Sequence, residues 1–211
     1  CASLLVLLAN LINRPIELSI NNWYINDAKR MIQEMPELKV IGITGSYGKT
    51  SVKFFLNKLL TAKYNVLMTP ESFNTTLGVV KTIRSSLKAT HEIFICEMGA
   101  KNIGDIKEIC DIVRPHYGII TSIGPQHLES FKNIDNVIKT KFELADAVPQ
   151  NGIVFLNYDN GYIRQQKLSK KTVTYGIEQD GSDYLAYNIM VSSKGSSFQM
   201  AVDGVEYTFQ T

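Results

Sequence analysis

The stretch Val40-Ile41-Gly42-Ile43-Thr44-Gly45-Ser46-Tyr47-Gly48-Lys49-Thr50-Ser51 restricts the fold more than any other part of the chain. A β-branched run reads as a short buried strand, the glycine-rich segment as a tight turn, and the residues that follow as a helix. That order cradles nucleotide phosphates. Gly45, Ser46, Tyr47, Gly48, Lys49, Thr50 and Ser51 form the expected phosphate loop: the glycines turn backbone N–H groups inward, Lys49 brings a point charge to the β/γ-phosphates, and the Thr50 hydroxyl can ligate Mg2+. One spacing departs from the generic pattern. Five residues before Gly48 stands Ile43, whereas Gly42 lies six before, which points away from the commonest GTPases and kinases.

At 211 residues, 45% hydrophobic and 20% charged, the chain has room for one sizeable domain, or one domain with an appendage. The net charge of +2, without a basic run interleaved with aromatics, gives no reason to expect a nucleic acid partner beyond the nucleotide. Cys1, Cys96 and Cys110 have no CxxC spacing and form no even set, so neither a disulfide framework nor a zinc site is expected, and a reducing cytosol is the default. Residues 1–36 read as a hydrophobic, helical lead-in. Ala2–Ile12 alone is shorter than the roughly 20 residues a membrane span needs. It could end a longer membrane segment, with Arg14, Lys29 and Arg30 keeping the following domain cytoplasmic at the membrane's inner face, or be an apolar helix packed on that domain. No basic n-region or small-residue cleavage site marks a secretory signal.

Beyond Pro36, short β-rich runs alternate with helical patterns, the signature of a parallel sheet with crossover helices. Strands are expected at Lys39–Thr44, Asn65–Met68, Glu92–Glu97, Tyr117–Thr121, Gly152–Asn157 and Thr172–Tyr175. Helices are expected after the phosphate loop, with Val52, Phe55, Leu56, Leu59 and Leu60 as the apolar face, and at Leu77–Ser86, Ile103–Val113 and Ile134–Ala147. Tyr184–Ser192, Ser197–Val202 and Val205–Phe209 read as strands joined by Lys194-Gly195 and Asp203-Gly204, hence a small antiparallel sheet appended to the main one.

Ligands of open α/β sheets sit beyond the carboxyl ends of the strands. Glu97 ends the run Ile93-Phe94-Ile95-Cys96 and is placed to hold Mg2+ directly or through water, or else to cap a helix. His127 lies in the loop Thr121-Ser122-Ile123-Gly124-Pro125-Gln126-His127; His91 and His116, at strand starts, are expected to be structural. Lys141 falls four after Val137 and three before Leu144, on the buried side of its helix, where a lysine snorkels or finds a partner. Burial lowers the pKa of such a lysine, and the neutral amine can take up CO2 to form a carbamate. The loop Thr69–Gly78 is dense in hydroxyl and amide groups: Ser72, Asn74 and Thr75 could contact a substrate, and Thr75 could equally cap the next helix.

Taken in order, Gly-Ile-Thr-Gly-Ser-Tyr-Gly-Lys-Thr-Ser, Ser-Phe-Asn-Thr-Thr-Leu-Gly, Cys-Glu-Met-Gly-Ala, Thr-Ser-Ile-Gly-Pro-Gln-His-Leu-Glu, Lys-Thr-Lys-Phe-Glu and Leu-Asn-Tyr-Asp-Asn resemble the motifs of the Mur ligase family, in its D-alanyl-D-alanine-adding branch. The resemblance runs from about Leu38 to Thr211, and residues 37–211 would be the family's central ATP-binding domain, cut short at its C-terminal end. It implies an α/β fold: a phosphate-loop, mostly parallel sheet flanked by helices. It also implies ATP-dependent amide bond formation in the cytoplasm through an acyl phosphate, with a UDP-muramoyl peptide and D-alanyl-D-alanine as substrates of peptidoglycan synthesis. Thr50 and Glu97 then match the positions that hold a first Mg2+, while His127 and a carbamylated Lys141 match those that hold a second. Lys49, Glu97, His127 and Lys141 would carry the catalysis. Two departures accompany the match: Asn74-Thr75-Thr76 stands where many relatives carry paired asparagines, and the segments that in the family contact adenine, uridine and the incoming amine are not within these residues, so this stretch alone is expected to be inactive. Competing readings are a ligase with another acceptor, of polyglutamate- or cyanophycin-type, and a non-ligase nucleotide-binding module.

Overall fold

The computed structural model describes residues 2–71, 73–126, 128–177, 181–193 and 195–210. The chain runs α1 (Ala2–Gln33), β1 (Lys39–Thr44), α2 (Lys49–Leu60), β2 (Val66–Met68), α3 (Thr76–Ser86), β3 (Ile93–Glu97), α4 (Asp105–Val113) and β4 (Tyr117–Ile120). It continues through two further helices, α5 (Leu128–Phe131) and α6 (Ile134–Ala147), then β5 (Ile153–Asn157), α7 (Gly161–Arg164), β6 (Thr172–Gly176), β7 (Tyr184–Ser192), β8 (Gly195–Val202) and β9 (Val205–Gln210).

Alternation along β1 and β3 explains the layering. Val40, Phe94 and Cys96 face one side, against Val80 and Ile83 of α3, Ile106 and Ile109 of α4, Val137 and Leu144 of α6, and Ala28 and Ile32 of α1. Ile43, Ile93 and Ile95 face the other, where Val52, Leu56 and Leu60 of α2 cover them. With both faces buried, the strands read as near-continuous apolar runs, as parallel strands do. The strand order is β2-β3-β1-β4-β5-β6-β7-β8-β9, with every pair from β2 through β7 parallel. Neighbours β1 and β3 send their connections in opposite directions across the sheet, so the crevice at their carboxyl ends is the topological switch point.

The C-terminal strands form the expected antiparallel appendage, joined to the edge of the main sheet. β7 pairs in parallel with β6 over only Tyr175↔Tyr184 and Gly176↔Leu185, then runs on to pair antiparallel with β8, so the hairpins continue the main sheet. Asp203 (φ 51°) and Gly204 (φ 79°) both adopt the left-handed conformation that a two-residue hairpin turn demands between Val202 and Val205.

Two helices depart from the periodicity reading. On α2, Phe55 and Leu59 are 69% and 72% exposed, while Lys53 is fully buried. The packed face is rotated toward Lys53 because an ion pair with Glu97 holds that side down. Helix α4 starts at Asp105, after Gly104 (φ 94°), because the Asp105 carboxylate accepts the N–H groups of Lys101 and Asn102 and closes the preceding loop. Residues 2–33 form one helix. Its second half is anchored on α3, where Arg84 donates to Asp27 at 2.8 Å and lies over the ring of Tyr24, whereas Leu11, Ile16, Leu18 and Ile20 are exposed. Among the described residues no helix is long and apolar enough to cross a membrane.

Candidate active site

The phosphate loop leaves β1 and is fastened to the loop after β4. The Ser46 N–H donates to the Ser122 carbonyl at 2.7 Å, the Tyr47 N–H to the Ser122 hydroxyl at 2.9 Å, and the Thr121 hydroxyl to the Tyr47 carbonyl at 2.6 Å. Gly45 is required by this closeness, since a Cβ there would lie 2.1 Å from the Thr121 Oγ1. Gly48, at φ 82°, begins α2 in the left-handed region without any side-chain cap. The first N–H groups of α2 therefore have neither a helical partner nor a cap, and the positive end of the helix dipole faces the loop, an arrangement suited to phosphate. Lys49 folds back over the loop, its ammonium donating to the carbonyls of Gly45 at 2.7 Å and Ser46 at 3.4 Å. Burial lowers its pKa, against the pull of the Glu97 charge. The Ser46 side chain turns inward, its hydroxyl bridging to Gly124, and braces the loop from behind.

At the end of β3, Glu97 is 1% exposed and draws several elements together. The Thr50 hydroxyl sits 3.1 Å from both carboxylate oxygens. Asn74 Nδ2 donates to Oε1 at 3.0 Å, and Lys53 Nζ lies 2.9 Å from Oε2. A threonine hydroxyl and one carboxylate are hard oxygen donors beside a phosphate cradle, which is what Mg2+ needs when phosphates and water complete its shell. Among the described residues no group of three or more His, Cys, Asp or Glu side chains gathers into an all-protein metal cage.

Lys141 is 2% exposed, yet it lines the same cleft of about 410 Å³ as Lys49, Asn74, Thr75, Gly99 and Asp105. It does not snorkel to the outer surface of α6. Burial foremost, and the charge of Lys49 second, bring its pKa down to about 8, although Asp105 and Glu143 pull the other way. Helix α6 is held firmly around it. Asn133 caps its start, accepting the Asn136 N–H, and Lys170 donates to the carbonyls of Ala145, Asp146 and Val148 at its end. Two residues beyond Lys141, the Glu143 carboxylate caps the start of α4 by accepting the N–H groups of Gly104 and Lys107 at 2.8 and 2.9 Å.

Of the anticipated site, Thr50, Glu97, Asn74, Lys49 and Lys141 converge. Asn74 engages Glu97, and Thr75 caps α3, accepting the Gly78 N–H; Ser51 lies in the first turn of α2 beside Thr50. His127 and Ser72 lie outside the described residues. His91 and His116 are structural as expected, accepting the backbone N–H groups of Lys88 and Val40. Cys96 and Cys110 are buried free thiols, the latter pushed up to about 12 by burial. Periodicity overlooked Lys53, although it lies one turn after Lys49 on the side of Leu56 and Leu60, the same signal that singled out Lys141. Asn157 and Asn160 were also unassigned: their amides donate to the Thr121 and Ile123 carbonyls and stiffen the loop that leads toward His127.

A family model described as the Mur ligase middle domain matches residues 43–211. The chain belongs to the Mur ligase family. It is 29% identical over 202 residues to the UDP-N-acetylmuramoyl-tripeptide--D-alanyl-D-alanine ligase of Escherichia coli, covering 91% of this chain and 44% of that one. The enzyme of the same name from Buchnera aphidicola is 33% identical, over 80% of this chain and 37% of its own length. Among solved structures, the MurF ligase of Thermotoga maritima in complex with ADP superposes with a TM-score of 0.82 at 26% identity, covering 90% of this chain and 44% of that one. MurF from Acinetobacter baumannii gives a TM-score of 0.82 at 25% identity, covering 90% and 42%. The chain thus spans less than half the length of these Mur ligases, and the fold it shares with them is their mostly parallel, helix-flanked sheet.

Proposed function

We propose that residues 37–211 are the central ATP-binding domain of a ligase that joins D-alanyl-D-alanine to a UDP-muramoyl peptide in the cytoplasm, with residues 1–36 a helical lead-in. The observation that carries the reading is the meeting of Thr50 and Glu97 beside the phosphate loop, with buried Lys141 in the same cleft. The names of the relatives support this pair of substrates.

In this reading the first turn of α2 binds the ATP phosphates, and Lys49 exchanges its loop carbonyls for the γ-phosphate. Thr50 and Glu97 would hold one Mg2+; His127 and Lys141, once its neutral amine has added CO2 and lost a proton, would hold a second. When bound, these ions supply positive charge that offsets the charge on the transferred phosphoryl group and the acyl phosphate. The substrate carboxylate attacks the γ-phosphorus, ADP departs, and an acyl phosphate forms. The amine of the dipeptide then attacks the acyl carbon and displaces phosphate, giving up a proton. Lys49 and the N–H groups of α2 stabilise the phosphoryl oxygens in the first step. Buried Lys53 and Asn74 keep Glu97 oriented throughout.

The decisive assay supplies the complete protein with ATP, Mg2+, UDP-muramoyl tripeptide and D-alanyl-D-alanine, and follows both phosphate release and the mass of the product. Amide product that appears only with all four components is expected. Phosphate released with glutamate in place of the dipeptide, and none with the dipeptide, would replace the assignment with another acceptor class.

A further inference from the structure

Lys53 is fully buried on α2, and its ammonium serves two partners at once: Oε2 of Glu97, at 2.9 Å, and the main-chain carbonyl of Glu71. Glu71 belongs to the loop between β2 and α3 and has φ 32°, a conformation that non-glycine residues seldom adopt and that is kept only where its surroundings enforce it. The same loop reaches the carboxylate again through Asn74 Nδ2 at 3.0 Å, and it returns to the backbone beyond β3 where the Gly99 N–H donates to the Asn74 carbonyl at 2.7 Å. Thr69, at its start, accepts the Glu97 N–H. The helix of the phosphate loop and the loop lining the far side of the cleft therefore share one buried ion pair. Thr50 Oγ1, a further neighbour of the carboxylate, also lies on α2.

We propose that Lys53 is a positioning residue that ties the loop 69–75 to the nucleotide site, so that engagement of Glu97 by Mg2+-nucleotide tightens the loop. The inference rests on the nucleotide-binding part of the function given above, and not on the identity of the amine acceptor. An ammonium gripping both a metal-facing carboxylate and a carbonyl transmits displacement because a buried charge cannot give up either partner cheaply. Where Glu97 shifts toward a cation, Lys53 and the Glu71 carbonyl must shift with it. The effect is a coupling between two parts of the cleft, and such couplings ordinarily amount to about 5- to 150-fold.

The test is backbone hydrogen exchange of residues 69–76 in the complete protein, with and without Mg2+ and a non-hydrolysable ATP analogue, for wild type, Lys53→Met and Lys53→Arg. Analogue affinity and the thermal midpoint are recorded for each. In the wild type the nucleotide should slow exchange in this loop by at least about fivefold. Compared at analogue concentrations that saturate each protein, Lys53→Met should lose that slowing, while Lys53→Arg, which keeps a cation in reach of the carboxylate, should retain part of it. A merely structural lysine would change exchange equally with and without nucleotide, and that result overturns the proposal, as does a wild-type loop indifferent to nucleotide. If Lys53→Met does not fold, Lys53→Gln replaces it with the same expected loss, and full slowing in that variant is equally fatal. A wild type whose loop responds to nucleotide but which forms no amide would sink the ligase assignment and leave this one standing.

Discussion

Replacing Lys141 with methionine should stabilise the protein near neutral pH while removing the proposed ligase activity. The side chain is 2% exposed, and burial brings its pKa from 10.5 to about 8. At about 1.4 kcal/mol per pH unit, that displacement means the protonated amine costs the folded state about 3 kcal/mol relative to an ordinary lysine. Between pH 8 and 10.5 the unfolded chain holds a proton that the folded one has released, so wild-type stability rises with pH through that window; below pH 8 the full cost is present. Lys141→Met has similar length and no charge. In CO2-depleted buffer at pH 7 it should therefore unfold at higher urea, with a gain of up to about 3 kcal/mol. The gain should shrink steadily between pH 8 and 10.5. The complete protein carrying the substitution should form no amide. Urea melts of both proteins at four pH values decide the matter: a variant less stable than wild type at pH 7, or a gap that persists unchanged to pH 10.5, would refute the reasoning. Adding bicarbonate to the wild type should increase its intact mass by one carbon dioxide, and the variant should show no such gain.

Two further substitutions probe the framework around the cleft. Glu143→Ala removes the carboxylate that caps α4 through the Gly104 and Lys107 N–H groups, and should cost about 1–2 kcal/mol in a urea melt while leaving nucleotide affinity within about twofold. Gly48→Ala places a side chain at φ 82°, where nothing within 3.4 Å blocks the added methyl; the cost is backbone strain alone, about 1–2 kcal/mol, with weaker binding of an ATP analogue by calorimetry.

How much of this could be read from residues alone follows from the range of each interaction. The strands were legible because both sheet faces are covered, so Val40–Ile43 and Ile93–Cys96 needed to be free of polar side chains, and polarity resumes at Thr44 and Glu97, where each strand ends. Asp203-Gly204 announced its hairpin because that turn needs two left-handed residues in succession. Lys141 was placed correctly on a buried face because helical period is local, and α6 has the predicted limits. The same rule misplaced Phe55 and Leu59: the rotation of α2 is set by an ion pair to Glu97, forty-four positions after Lys53.

The sequence by itself determined the order of elements, the phosphate loop, and the polar residues waiting at the strand ends, because backbone conformation and burial pattern are written at spacings of two to four residues. Only the tertiary structure decided which of those residues meet. The crossing of the β1 and β3 connections brings Thr50 and Lys53 of α2 and Asn74 of the following loop onto one carboxylate of β3, and the packing of α6 against the sheet lowers the pKa of Lys141 in the cleft they share. Desolvation and ion pairing depend on what lies within a few ångströms in space, and residues distant along the chain become neighbours only once the sheet has assembled.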